Sequence, residues 1–585
     1  MHFNEHTKLG EIMACPATKA ILFSYLPQLK DSPYLSFLKR SSLAQLAENK
    51  LMSGSLSEHL PSILKDLAHT EVLLEPERVY EPSEHYEAAG VEIASAALEA
   101  PGIAEKWGIF ELAIKGPKHG NPFVDVQLFA DFKQNDQTIT VRGFYDGDGM
   151  YRVRFMPGTE GVWQFTTSSN ARSLHQLSGE FLAVPAAAGN NGPVRVANTF
   201  HFAYENGKRY IPVGTTCYVW NHQPQALQAE TLASLKHSPF NKLRMCTFPK
   251  SYQYNNNEPE LFPYEGSLEN GFDYTRFNPR FFRQLDEQIA ALCELGIEAD
   301  LILFHAYDRW GFSEMSKQAD NRYLQYVVAR LAAYRNIWWS LANEYDLMWA
   351  KEEEDWERFA AIVTSEDPYK HLLSIHNCHH FYDYSRPWVT HCSVQRVDVY
   401  KTAEYTDQWR KQWNKPIVID ECAYEGNIDM GWGNITGEEM VRRFWEGAVR
   451  GGYVGHGETY LNDEEILWWS KGGKLHGTSP ARIAFLRGIM EEGPSEGLNP
   501  YNAEWDAASA AVIDHYYLYY YGFNRPSYRL FSMTPAVRFH VDIIDTWNMT
   551  ITRLPNTVEG TFRIELPARQ YMAIRLIRAE EALHE

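Results

Sequence analysis

Two short apolar runs in this sequence end on a glutamate, and the chemistry that such a pair could perform organises the reading of the rest. Asn336 to Asp346 reads NIWWSLANEYD, in which Ile337, Trp338 and Trp339 have the look of a buried strand that delivers Asn343 and Glu344 at its carboxyl end. Trp413 to Gly426 reads WNKPIVIDECAYEG, where Ile417, Val418 and Ile419 lead to Glu421. Cleavage of a glycosidic bond needs one carboxylic acid to protonate the leaving oxygen and one carboxylate to attack the anomeric carbon or activate water. Glu344 and Glu421 are therefore the candidate catalytic residues. Asp420 rivals Glu421, but successive strand residues point to opposite sides, so only one of the two should face a pocket. Arg244 is expected to keep Glu421 ionised by charge pairing, which suits Glu421 to be the nucleophile. Glu344 then becomes the acid/base, with its pKa raised by burial or by the other carboxylate.

Stepping outward, short apolar runs recur at Tyr210 to Thr215, Lys242 to Cys246, Ala299 to Phe304, Ile337 to Leu341, Leu372 to Ile375, Thr390 to Val394, Ile417 to Ile419 and Tyr453 to Gly455. Amphipathic segments alternate with them: Tyr323, Val327, Leu331 and Tyr334 share one helical face, as do Trp356, Phe359, Ala360 and Val363. This alternation predicts an α/β fold, a (β/α)8 barrel over residues 195–497, with chemistry at the carboxyl ends of its strands. Residues 1–70 carry helical spacing (Leu60, Ile63, Leu64, Leu67) and form a helical amino-terminal segment. Residues 71–194 switch to a period of two, as in Phe110, Leu112 and Ile114, and read as a β-sandwich of the immunoglobulin or fibronectin kind. Residues 498–585 return to that period and form a carboxyl-terminal β-sandwich domain. The chain length of 585 residues agrees with several domains rather than one core.

Polar groups mixed with aromatic rings gather where the barrel strands should end. They are Trp220 and Asn221 after the first, Arg244 on the second, His305 and Trp310 after the third, and Asn343 on the fourth. His376 follows the fifth, Gln395 the sixth, Tyr424 the seventh and Glu458 the eighth. Sugar hydroxyls need polar partners and a sugar face needs an aromatic plane, so these residues are the expected substrate contacts. His376, His379 and His380 near Asp383 could form a metal site, but a metal hydrolase on this fold would open with His-x-His on the first strand, where Thr215, Thr216 and Cys217 stand. The turn Asp146-Gly147-Asp148-Gly149 lacks the further acidic ligands of a calcium loop and reads as a hairpin turn. No metal and no cofactor are expected.

A formal net charge of −20 argues against nucleic acid and against an anionic membrane surface as partners. The first residues, MHFNEHTKLGEIMACP, do not have the pattern of a secretory signal, and no apolar run is long enough to span a bilayer. The seven cysteines are odd in number, widely spaced and without a CxxC pair, so they are read as reduced thiols of a cytoplasmic protein. The amino-terminal helices should pack on the next domain or form a contact in a homo-oligomer.

The Asn343-Glu344 pair and Glu421, at the ends of strands four and seven, resemble the clan A retaining glycoside hydrolases. The order of a sandwich containing GFYDGDGMYRVRFMPGTEG, a barrel with NIWWSLANEYD and KPIVIDE, and a terminal β-domain is similar to glycosidases related to apiosidase-like barrel proteins. The resemblance implies double displacement with Glu344 as acid/base and Glu421 as nucleophile. The absent secretory pattern points to short oligosaccharides or glycosides as substrates, since polymers do not cross a membrane unaided. It also implies that Arg244, Asn343 and His305 match the clan's supporting residues. Two departures stand out: GHGETY occupies the end of strand eight, where many members have Trp, and Gln395 follows strand six, where many have Tyr or His. Two other readings stay open from the residues alone, a noncatalytic carbohydrate-binding protein on a degenerate barrel and a metal-dependent hydrolase.

Overall fold

A computed structural model describes residues 3–30, 32, 35–48, 53–70, 79–398, 401–501 and 504–579. Eight parallel strands form its centre: β1 (Gly214–Thr216), β2 (Lys242–Cys246), β3 (Glu298–His305), β4 (Ile337–Asn343), β5 (Leu372–Ser374), β6 (Cys392–Gln395), β7 (Ile417–Glu421) and β8 (Tyr453–His456). They are hydrogen-bonded in the order 5-4-3-2-1-8-7-6, and a parallel bridge between His376 and Ser393 closes the ring between β5 and β6. Every residue of β3 and β4 is buried, as expected of parallel strands covered on both faces. The (β/α)8 barrel read from the sequence is thus the architecture observed.

The surrounding helices are α1 (Gln225–Lys236), α2 (Pro279–Glu294), α3 (Lys317–Leu331), α4 (Glu353–Glu366), α5 (Thr406–Trp413), α6 (Gly437–Val449), α7 (Trp468–Lys471) and α8 (Ser479–Glu491). Their starts are chemically marked. Asn278 accepts from the Arg280 N–H ahead of α2, Ser316 from Ala319 ahead of α3, and Thr436 from Glu439 ahead of α6. The connection from β5 to β6 contains no helix. Trp338 and Trp339 are core residues: Phe202 and Tyr210 pack on Trp338, whose Nε1 donates to Glu298, while Trp339 Nε1 donates to Asp367.

Before the barrel, an antiparallel four-stranded sheet and a five-stranded sheet, whose edge strand Ile103–Glu105 runs parallel to its neighbour, pack about Phe110, Phe132, Phe155, Trp163 and Phe181. Asp146, in the DGDG turn, is buried. Its carboxylate accepts from Arg330 Nη1 on α3 at 2.8 Å and from Arg152 Nε at 2.9 Å. Against the effect of its own burial, these guanidiniums hold Asp146 below the usual carboxylate range. Beside it, Arg154 grips Asp286 of α2 with two bonds of 2.9 Å, and Arg330 holds the same carboxylate from the other side. The turn therefore fastens the sandwich to the barrel.

The amino-terminal helices have their own small core around Leu9, Ile12, Leu22 and Leu43, and they dock on the loops after β3 and β4. Lys39 pairs with Glu314, Lys8 with Glu352 at 3.0 Å, and Gly10 lies so close to the Trp349 indole that a Cβ there would be 2.3 Å from it. After the barrel, a five-stranded sheet and a two-stranded sheet enclose a core of Tyr517, Tyr519, Phe539 and Ile574. Among the described residues, no helix is long and apolar enough to cross a membrane.

Candidate active site

Both glutamates enter the same cavity because the backbone departs from regular strand geometry next to each of them. On β4, Asn343 already points into the barrel, so an ordinary strand would turn Glu344 away. Instead Glu344 adopts a left-handed conformation, φ 51° and ψ 56°, and its side chain lines the cavity. Such a conformation is costly for a residue with a Cβ and is typical of functional sites. On β7 the register against β6 slips, with Val394 opposite Ile419 but Gln395 opposite Glu421. Asp420 sits in that bulge, and an extra residue of this kind re-aims the next side chain. The neighbouring position on β8 is Gly455, where a Cβ would lie 2.5 Å from the Asp420 carbonyl. The alternation rule that allows only one of Asp420 and Glu421 to face inward therefore fails here: both do, at different depths.

Asp420 belongs to an ionic layer beneath the cavity. It accepts from Lys242 Nζ at 2.7 Å and from Ser393 Oγ at 2.5 Å, and Asp300 pairs with the same lysine. Burial opposes its ionisation, yet Lys242 and Arg244 hold it well below the usual carboxylate range. Arg244 is also part of this layer. Its Nη2 donates to Asn343 Oδ1 at 2.8 Å, and its Nη1 lies 3.7 Å from Asp300 and 3.8 Å from Asp420. Glu421 is not among its ion-pair partners, which corrects the expected pairing: Asp300 on the adjoining β3 and Asp420 on β7 across the barrel take the guanidinium instead.

The cavity above holds about 290 Å³ and is lined by Glu344 and Glu421 together with Tyr218, Lys250, Tyr252, Tyr307, Gln395, Tyr424, Trp432 and Trp469, among others. Glu344 is fully engaged. The Tyr307 hydroxyl and Asn343 Nδ2 donate to its Oε2, and Gln395 Nε2 donates to its Oε1 at 3.1 Å. Its N–H donates to His376 Nδ1 at 3.3 Å. Glu421 differs, since its Oε1 is buried without a hydrogen-bond partner among the described residues. Burial pushes this carboxyl up to about 8, with the Tyr424 hydroxyl acting weakly in the opposite sense. Replacing Tyr307 by phenylalanine removes one donor to Glu344 while keeping the ring. The expected cost is about tenfold in kcat/KM, corresponding to ~1.5 kcal/mol, measured on an aryl glycoside that the wild type turns over.

Of the residues named from the sequence, Glu344, Glu421, Gln395 and Tyr424 line this cavity. Asn343 and His376 lie directly behind Glu344 and hold it. The others lie elsewhere. His305 is buried with Nε2 against the Phe248 carbonyl, and burial lowers it to about 3. Trp220 is core, and Asn221 lines a separate groove between α1 and α2. Trp310 donates to Glu258 in an outer loop.

Glu458 and Glu425 extend β8 and β7 as a short paired segment, and both serve the start of α8. Glu458 accepts from the His476 N–H, and Glu425 from Thr478, Ser479 and Tyr460. Glu425, His456 and Glu458 are the group of metal-type side chains found close together among the described residues, with ligand atoms within 4.8 Å. The oxygens of Glu425 are already taken by the donors that cap α8. The backbone N–H groups of His379 and His380 donate to Asp346, which fixes the path of that loop.

Sequence reasoning missed Tyr218, Tyr252, Trp432 and Trp469. Trp469 comes from α7, thirteen residues beyond the end of β8, yet its ring stands 5.0 Å from Trp432 and 6.2 Å from Tyr424. Trp469 thus reaches the cavity wall from the connection between β8 and α8, where strand-by-strand counting does not look.

Known families and structures resemble the chain in sequence and in fold. The apiosidase-like catalytic domain family matches residues 197–508. Two domains of unknown function, DUF5060 and DUF5605, match residues 103–170 and 505–577. The crystal structure of "a putative glycoside hydrolase from Bacteroides vulgatus ATCC 8482" is 37% identical, covering 82% of this chain and 100% of that one with a TM-score of 0.78. A glycoside hydrolase family 5 structure from the same organism is 14% identical over 66% of this chain and 94% of that one, with a TM-score of 0.54, a likeness of fold. No curated protein matches the chain. The barrel, its paired carboxyls and these relatives lead to one conclusion: the chain belongs to the apiosidase-like catalytic domain family and is an enzyme of the glycoside hydrolase type.

Proposed function

We propose that the protein is a retaining glycosidase that removes a sugar from short oligosaccharides or glycosides by double displacement. The observation that carries this reading is the convergence of Glu344 and Glu421 on one aromatic-walled cavity. Glu421 is the nucleophile, because its unpartnered Oε1 has lone pairs free to meet an anomeric carbon. Glu344, held from three sides, is the acid/base that delivers and retrieves the proton at the leaving oxygen. At about 290 Å³ the cavity is at the small end of ligand sites, which favours removal of a terminal residue. All seven cysteines are free thiols, in keeping with a reducing compartment such as the cytoplasm.

Burial raises the Glu421 carboxyl to about 8, so below that pH the free site holds it protonated, and the proton must leave before the carboxylate can attack. The expected result is that kcat/KM rises as pH rises toward about 8, measured as a pH profile on an aryl glycoside. A profile already level at about pH 6 contradicts a raised Glu421 as nucleophile.

The reading is tested by azide rescue of two variants. In Glu421→Ala, azide should occupy the vacated nucleophile's place and give a glycosyl azide of inverted configuration. In Glu344→Ala, it should intercept the glycosyl-enzyme and give the retained one. The opposite pairing reverses the roles, and rescue of neither variant contradicts double displacement.

A further inference from the structure

Lys250 stands in the cavity wall without a partner for its charge. It follows β2, is 4% exposed, and is the one lysine or arginine among the residues lining the cavity. Its Nζ lies 3.6 Å from the Tyr218 ring centroid, 4.0 Å from that of Tyr307 and 5.4 Å from that of Trp469. Among the described residues no carboxylate comes within ion-pair distance of it. Glu344 contributes only at longer range, and burial brings the ammonium down to about 8.

Aromatic faces offset part of the cost of taking an ammonium out of water, but they do not satisfy its N–H groups. A buried cation with unused donors is costly unless a charged acceptor reaches it. The cationic groups beneath the cavity are already matched, Lys242 and Arg244 to Asp300 and Asp420. Lys250 is left over, and it faces the space where a ligand would sit.

We propose that Lys250 and its aromatic box form a carboxylate-binding point within the sugar site, so that the preferred glycone is an acidic sugar, a uronic acid, rather than its neutral counterpart. This rests on the reading of the cavity as the glycone site. The rings of Tyr218, Tyr307 and Trp469 would cover the sugar around its carboxylate, while the ammonium donates charge-assisted hydrogen bonds to the carboxylate oxygens. Water excluded from the box would strengthen that contact.

The test is binding of free monosaccharides to the full-length protein, read by calorimetry and by quenching of tryptophan fluorescence. The probes are glucuronate and galacturonate against glucose and galactose. Because no bond is broken, the result is independent of turnover: loss of glycosidase activity on every aryl glycoside would count against the hydrolase reading, whereas the affinity ratio decides the present one. Expected at about pH 7 is a preference of about 10- to 100-fold for one uronate over its neutral sugar. That preference should vanish in Lys250→Met, which keeps an apolar side chain in the box, and return in part in Lys250→Arg. It should also shrink as pH rises through about 8, where the buried ammonium gives up its proton. A structural role for Lys250 would move none of these ratios. Equal affinities for acidic and neutral sugars, no saturable uronate binding, or an undiminished preference in Lys250→Met would each overturn the proposal.

Discussion

Replacing Glu421 by alanine is expected to lower kcat/KM on any glycoside the wild type cleaves by about 10⁴-fold or more, equivalent to ~5.5 kcal/mol of transition-state stabilisation. The argument is that no second group can take its place. Asp420 is the adjacent carboxylate, but it is locked between Lys242 and Ser393 in the layer below. Glu344 has both oxygens occupied by Tyr307, Asn343 and Gln395. Without Glu421 the cavity retains its rings and Lys250, so sugar binding should survive while turnover does not. Glu344→Ala should cost less, about 10²- to 10⁴-fold, and least on substrates whose leaving group needs no proton. Steady-state kinetics on an activated and an unactivated glycoside separate the two variants.

Asp286→Ala should be the most destabilising single change outside the cavity. Its carboxylate is shared by Arg154 from the sandwich and Arg330 from α3, both almost completely buried. Removing it leaves two guanidiniums facing each other in a low-dielectric site. Breaking a buried pair in this way costs about 3–5 kcal/mol. Asp146 would still hold Arg330 and Arg283, and Glu111 would still hold Arg154, but the sandwich would lose the two-bond link from Arg154 to α2. The measurement is a thermal scan followed by limited proteolysis at fixed scan rate, since a chain of this size need not unfold reversibly. The account predicts a large drop in apparent Tm and early cleavage around the sandwich. A wild-type scan would show that the ion cluster does not join the two regions. Asp286→Asn keeps the hydrogen-bonding shape without the charge and should fall between the two.

The barrel was legible in the sequence because its strands are buried on both faces and so read as short apolar runs, such as Leu301 to Phe304 and Ile417 to Ile419. The same regularity hid what is irregular. The bulge at Asp420 and the left-handed turn at Glu344 place two consecutive inward side chains where alternation allows one, and neither leaves a compositional mark. Opposite charge on two barrel strands suggests a pairing of Arg244 with Glu421, but depth along the barrel separates them. The ionic layer takes Arg244, Lys242, Asp300 and Asp420 together. Trp469 and Trp432 reach the cavity from loops whose path no periodicity describes. Likewise the DGDG turn has the composition of a tight turn, while its buried partner, Arg330, lies 184 residues further on.

The most direct test of the central claim is release of nitrophenol from a panel of aryl glycosides by the wild type and Glu421→Ala side by side, with the anomeric configuration of the first sugar released followed by NMR. The account predicts that the wild type cleaves at least one of them with retention and that the variant does not. Inversion, or equal turnover by the variant, would contradict it.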